Sequence, residues 1–440
     1  MDRLLRALIL FTGRIFYRTI AVEGAEHVPE RGPCIVVANH PNGLVDPVIV
    51  RLALDRQVAF LSKSTLFANP FGRALMKAFD SIPVFRARDG ADVRQNERTF
   101  DICRERLAKG GWIVLFPEGT SHSDPSLRPM KTGAARIALT AEAASDFRLG
   151  LRILPVGLLF EDKEIFRSRV VAKVGAPMTL RGYAEQYAAD DRKTVHVLTD
   201  AIEEALSAVV LEAGSMELWN GFLAVAAWTH PEAQKDVRTR EARARALARA
   251  YHHLSQRDPE SAEAVVSSAR RFAQVLRAIG VEDPFSFDVP QPPSGRSILL
   301  SFVPIVLLAP FAALGTILCW PTYRLIALII STWKTLDDDL TSTVKALAGM
   351  LFYPLTFIAE AVAVGFIAGR WAGVATLLLA PALGFTALRW YERIGRRREI
   401  IRSWWLRSNR TSLVEAVSRR RRELCATVER ELSDVGAAAN

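Results

Sequence analysis

Residues 19–180 read as an α/β layered domain, and an α-helical segment and C-terminal transmembrane helices follow it. Three observations predict this order. In the first part, short β-branched and aromatic runs alternate with stretches of helical periodicity. From 181 to 290, Ala, Glu and Arg dominate at helical spacing, and strand-like runs are scarce. After 296, long apolar stretches carry no charge at all.

The start, "MDRLLRALILFTGRIFYRTI", has a basic opening and an apolar run. It lacks a small-residue cleavage site, and Arg14 and Arg18 interrupt it, so it does not read as a signal peptide. Leu4, Leu5, Leu8, Ile9, Phe11 and Phe16 fall mostly on one helical face. Residues 1–18 are therefore expected to form an amphipathic helix, lying in a membrane interface or packed on its own domain.

Strands are expected at "CIVVAN" (34–39), "VAFLS" (58–62), "SIPVF" (81–85), "WIVLFP" (112–117), "ILPVGLLF" (153–160) and "RVVAKVG" (169–175). Helical periodicity occupies 47–54, 66–79, 92–109 and 131–146 between them. Strands alternating with helices imply a largely parallel sheet. Residues 181–296 form a helical insertion or cap ending in the linker "DVPQPPSGR"; His252 and His253 in it are surface residues on a helix.

Ser297–Tyr323, Ala346–Ala359 and Trp371–Leu388 contain no charged side chain, which assigns 297–388 to the membrane. Pro304, Pro310 and Pro321 predict a kinked or re-entrant first segment. Arginines crowd 389–422, within a basic tail over 389–440 that should stay on the cytoplasmic side. With the globular part also there, the crossings should be even in number. A hairpin turning near Gly369-Arg370-Trp371 supplies two, and 297–330 would be a second hairpin or a re-entrant loop.

The net charge of +10 suits a negatively charged partner. Because the arginines lie beside apolar segments, anionic membrane lipid is the expected partner and nucleic acid is not. Cys34, Cys103, Cys319 and Cys425 show no metal-ligand spacing, so no metal is expected and the thiols should be reduced.

Four stretches carry chemistry. In "ANHPNGLVDP" (38–47), His40 and Asp46 flank a Pro-Asn-Gly turn just past a strand. "SIPVFRARDG" (81–90) ends a strand with Arg86 and Arg88, "VLFPEGTSHS" (114–123) presents Glu118, Gly119 and Thr120, and "ILPVGL" (153–158) carries Pro155. Loops beyond strand ends are where ligands collect in open α/β sheets, so these can share one cleft. An alcohol is a poor nucleophile at neutral pH and needs a base within hydrogen-bond reach. His40 suits that role, with Asp46 fixing its tautomer and stabilising the imidazolium, and Gly43 letting the backbone bend.

In this order and spacing, "NHPNGLVD", "IPVFR", "FPEGTS" and "LPV", with "FLSKSTLF" (60–67) between the first two, resemble the motifs of the glycerolipid acyltransferases. These act on glycerol-3-phosphate or lysophosphatidate. The likeness covers about residues 20–180. His40 and Asp46 are separated by one residue more than in most members, a spacing that resembles the fungal-type glycerol-3-phosphate acyltransferases and related bacterial proteins.

The resemblance implies a glycerolipid-acyltransferase-like fold and acyl transfer to the 1-hydroxyl of glycerol-3-phosphate. The donor would be acyl-CoA or an acyl-carrier-protein thioester, a co-substrate, with no cofactor. Lysophosphatidate is the alternative acceptor, and a non-catalytic membrane scaffold is the reading of a different class. Arg86 would grip the acceptor phosphate, with Lys63 and Lys131 as secondary cations or simply solvated lysines. Glu118 would bond the acceptor glycerol or brace its loop, Gly119 would admit the ligand beside the backbone, Thr120 would line the same site, and Pro155 would shape the strand end. The expected location is a bacterial inner membrane rather than endoplasmic reticulum, with the catalytic domain facing the cytoplasm.

Overall fold

The computed structural model describes residues 2–163, 165–288, 295–332 and 338–438. They fall into two compact units. The first comprises Met1–Trp219, Val237–Arg245 and Asp337–Thr343; the second comprises Asn220–Asp236, Ala246–Leu336 and Val344–Asn440.

The first unit is built on an eight-stranded sheet. Its strands are β1 (Thr19–Glu23), β2 (Cys34–Ala38), β3 (Ala59–Lys63), β4 (Ile82–Val84), β5 (Trp112–Leu115), β6 (Arg152–Phe160), β7 (Arg169–Val174) and β8 (Met178–Thr179). They lie in the order β1-β7-β6-β2-β5-β3-β4, with β8 against β6. All pairings are parallel except β6 with β7 and β6 with β8. The α/β layers and the six sequence-predicted strands are therefore present, and β1 and β8 are additions.

Central β2 is buried at every position, as expected of "CIVVA" between two parallel neighbours. Proline is tolerated inside β6 for a local reason. The Pro155 carbonyl accepts from the Gly175 N–H at 2.9 Å, on the side where β7 gives way to β8. A strand residue's N–H and C=O point the same way, so the missing N–H interrupts no bond to β2.

Helices α1 (Asp2–Phe16), α2 (Val45–Leu54), α3 (Pro70–Ala78), α4 (Asn96–Ala108), α5 (Gly133–Ala143), α6 (Ala184–Ala189) and α7 (Asp191–Ser207) complete the layers. Leu198 and Ile202 of α7 are buried in one core with Ile35, Val37, Ile113 and Ala138. Residue 180 is thus no structural boundary: α7 covers the sheet because its apolar stripe has nowhere else to be buried. Of α8 (Met216–Thr229), α9 (Pro231–Lys235) and α10 (Val237–Arg257), the first turns of α10 also belong to this unit. There Arg240 pairs with Glu161, and the Arg245 guanidinium donates to the Ala208 carbonyl at 3.0 Å.

The second unit contains α11 (Pro259–Ile279), α12 (Gly295–Thr332), most of α13 (Asp338–Ala368), α14 (Arg370–Asn409) and α15 (Thr411–Ala438). Leu299–Thr332, Thr341–Ala368 and Arg370–Asn409 are each long and apolar enough to cross a membrane. The expected second hairpin or re-entrant loop is corrected: α12 is one continuous helix through Pro304, Pro310 and Pro321. Each proline removes a single backbone bond, while the remaining backbone groups of an apolar segment gain most by staying helical. The Trp390 indole also donates to the Ile305 carbonyl at 2.7 Å. The turn expected at Gly369 is present, at φ 92°. α14 runs unbroken across 388–389, and most of the linker 288–296 lies outside the described residues.

Candidate active site

β2 delivers the first loop. Asn39, just past its end, is stitched to β6 by two bonds with Leu158, its amide donating at 3.0 Å and accepting at 2.7 Å. His40 follows, the chain bends through Gly43 at φ 46°, and α2 begins at Val45. Asp46 therefore sits in the first turn of α2, where the helix dipole favours a carboxylate.

His40 Nδ1 and Asp46 Oδ2 are 2.8 Å apart, and the same oxygen accepts the Asn42 N–H at 2.7 Å. Asp46 is completely buried. A carboxylate only accepts, so Nδ1 of neutral His40 carries the proton and Nε2 keeps its lone pair. The ring stacks on Phe116 with centroids 4.0 Å apart and remains 18% exposed. Burial pushes the Asp46 carboxyl above the usual range, and the bonds from His40 and Asn42 pull it partly back.

Glu118 ties the second loop to the first. One of its oxygens accepts the His40 backbone N–H at 3.0 Å; the other accepts the Arg128 N–H at 2.9 Å and a bond from His122 Nε2. His122 Nδ1 accepts the Asp124 N–H, and the His122 N–H donates to the His40 carbonyl at 3.0 Å. Glu118 is 3% exposed with protein donors on both oxygens, an arrangement that braces the His40 backbone.

The third loop brings cations to the same place. Arg86 Nη1 and Arg88 Nη2 each donate to the Gly119 carbonyl at 2.8 Å, and Asp89 holds the other side of Arg86. Gly119 adopts φ 73°, a left-handed turn that strains other residues, and the Lys131 stem lies beside it. Lys63 is exposed at the end of β3, paired in register with Val84 two residues before Arg86. Thr120 is half-buried, its hydroxyl donating to the Ser121 carbonyl at 3.2 Å. The structure thus joins His40, Asp46, Glu118, Gly119, Arg86 and Lys131 in one constellation; among the described residues, Lys63 and Thr120 make no hydrogen bond to the dyad.

Sequence reasoning missed the outer supports. The Asn42 amide donates to the buried Tyr17 hydroxyl at 3.0 Å. Lys163 Nζ reaches Ser123 and the Pro41 carbonyl, and its own carbonyl accepts from Ser342. The Leu44 N–H, at the cap of α2, donates to Thr343 Oγ1 at 3.2 Å. His122 was in plain view, four residues after Glu118 in the same loop. Nothing local marks Tyr17, Lys163, Ser342 or Thr343.

Burial pushes the Cys34 and Cys103 thiols up to about 12, which leaves them no thiolate character at neutral pH.

The Acyltransferase family model matches residues 19–159. An uncharacterized acyltransferase of Schizosaccharomyces pombe is 27% identical over 290 residues, 46% of this chain and 43% of that protein. Glycerol-3-phosphate O-acyltransferase 2 of Saccharomyces cerevisiae is 33% identical over 148 residues, 33% of this chain and 20% of its own length. A chloroplastic 1-acyl-sn-glycerol-3-phosphate acyltransferase of Brassica napus is 30% identical over 145 residues, 33% of this chain and 38% of its own. The chain therefore spans less than half the length of these relatives. The crystal structure of the 1-acyl-sn-glycerophosphate (LPA) acyltransferase PlsC from Thermotoga maritima covers 47% of this chain and 81% of its own, at 22% identity and a TM-score of 0.33.

Proposed function

We propose that this chain, whose residues 19–159 match the Acyltransferase family model, acylates the 1-hydroxyl of glycerol-3-phosphate from an acyl-CoA or acyl-carrier-protein thioester. The observation that carries the reading is the His40–Asp46 pair, with Nε2 free to take a proton beside the Arg86–Gly119 corner.

In the reaction the acceptor hydroxyl gives its proton to His40 Nε2 as its oxygen attacks the thioester carbonyl. The buried Asp46 carboxylate stabilises the imidazolium that forms. The tetrahedral adduct collapses with cleavage of the C–S bond, and the departing thiolate takes the proton from Nε2. Arg86, Arg88 and Lys131 hold the acceptor phosphate, with Lys63 and Thr120 at the margin. Charge-assisted contacts of this kind contribute about 1.5–3 kcal/mol each.

The three apolar helices support a membrane protein. The four free thiols support a cytoplasmic catalytic face. Lysophosphatidate is the second acceptor reading, supported by the Brassica napus relative. Purified protein in detergent, given one thioester donor and each acceptor in turn, separates them. Glycerol-3-phosphate should be acylated faster. Preference for lysophosphatidate reverses the assignment, and no turnover with either leaves a scaffold.

A further inference from the structure

The two ends of α2 face different surroundings. Its first turn carries Asp46; its last turn and the residues after it carry Arg51, Leu52, Asp55 and Arg56, about 7–15 Å further along the helix direction. Arg56 lies over the Trp112 ring, 5.0 Å from its centroid, where β5 begins. That is the edge of the sheet opposite the one from which His40 emerges.

α1 packs along α2 at close range. A Cβ at Gly13 would stand 2.7 Å from Val48 Cγ1. Toward the end of α2 the two helices part and leave an open cleft of about 270 Å³, with Leu10, Phe11 and Arg14 on one wall and Arg51, Leu52 and Arg56 on the other. Asp55 is the only carboxylate in the lining. Among the described residues, none of the three arginines is ion-paired to a carboxylate within 4.0 Å. Burial and the neighbouring Arg6 guanidinium disfavour the charge on Arg51, and the Asp55 and Asp80 carboxylates partly offset them. Beside the cleft, Leu8 is 41% and Phe11 59% exposed on α1, while Ile9 and Phe16 are buried in the domain.

We propose that this cleft binds the phosphodiester of an anionic membrane lipid through Arg14, Arg51 and Arg56, with Leu8 and Phe11 entering the acyl layer beside it. Guanidinium groups recognise phosphate oxygens in a forked geometry, and the apolar flank selects a lipid over a free ion. The site is separate from the acyl-transfer site and does not depend on that reading. It gives α1 both functions its sequence suggested: one face packs on the domain and the other meets the bilayer.

The test uses the full chain in neutral detergent. Thermal unfolding is followed during titration with dioctanoyl phosphatidylglycerol, dioctanoyl phosphatidylcholine or inorganic phosphate. Phosphatidylglycerol should raise Tm saturably and phosphatidylcholine should not. Arg14→Gln, on an exposed side chain, and Arg51→Gln should each weaken the phosphatidylglycerol effect roughly fivefold, the share one basic residue supplies near an anionic surface. Both variants keep the basic tail, so its contribution cancels. The Arg86→Ala variant should retain the full lipid shift. Should Arg51→Gln fail to fold, Arg14→Gln and Arg56→Gln carry the same test. The proposal is overturned by equal phosphatidylglycerol response in the arginine variants, by an equal response to phosphatidylcholine, by the same saturable shift with inorganic phosphate alone, or by loss of the shift in Arg86→Ala.

Discussion

The carboxylate of Glu118 accepts the backbone N–H of His40 at 3.0 Å, so the loop bearing the base is held by the loop bearing the glutamate. The other Glu118 oxygen faces two more donors, Arg128 N–H and His122. A glutamine cannot accept on both sides, and its NH₂ would confront one of these donors.

Glu118→Gln should therefore lower both Tm and kcat. A lost charge-assisted bond with a buried donor left over costs about 1–3 kcal/mol. Thermal unfolding beside steady-state kinetics checks this. A variant with unchanged Tm and only a raised acceptor KM would instead place Glu118 on the substrate.

Asp46→Asn separates catalysis from stability. Burial raises the carboxyl's folded pKa above its unfolded value. The stability tied to the protonated form is fully present below the unfolded pKa and lost as pH rises through the folded one. At neutral pH the buried charge thus weighs against folding, and the amide relieves it. Tm at pH 8 should be equal to or above wild type, with the difference shrinking toward acid pH, while kcat falls by roughly 10⁴ as in other triads given the wrong tautomer. A large drop in Tm at pH 8 would make Asp46 a structural requirement.

Arg86→Ala should raise acceptor KM by roughly ten- to a hundredfold, the equivalent of a lost charge-assisted phosphate contact, with donor KM changed less. Arg88→Ala should do less, since Arg88 is the more exposed of the two at 53% against 22%. An unchanged acceptor KM would move the phosphate to Lys63 or Lys131.

Thr343, within the candidate span Thr341–Ala368, accepts the Leu44 N–H at the cap of α2. Thr343→Val removes that acceptor and should lower kcat severalfold with acceptor KM unchanged, because the bond sets the orientation of the turn holding Asp46. Thr343→Ser keeps the hydroxyl and should restore kcat. If serine and valine behave alike, the hydroxyl has no positioning role.

Much of this was legible in the sequence because the signals were local. Buried parallel strands read as apolar runs, which made β2, β5 and β6 visible. β1, "TIAVE", is a short edge strand with no fully buried position, and β8 spans only two residues; neither offers a pattern to find. The prolines of α12 suggested a break because sequence rules weigh each residue against water, whereas an apolar surround holds the helix together. His40, Asp46, Glu118 and Arg86 stood at strand ends, where topology alone brings loops together. Tyr17, Lys163 and Thr343 reach the loop between His40 and Asp46 across long stretches of chain, which no spacing encodes.

The most direct measurement is acyl transfer by His40→Ala, with full-length protein in detergent, glycerol-3-phosphate and one thioester donor, following thiol release. Turnover should fall by at least about 10³, as when a catalytic base is removed from a triad, while Tm stays near wild type. Near-normal turnover in that variant would contradict base catalysis by His40 and, with it, the role assigned to the His40–Asp46 pair.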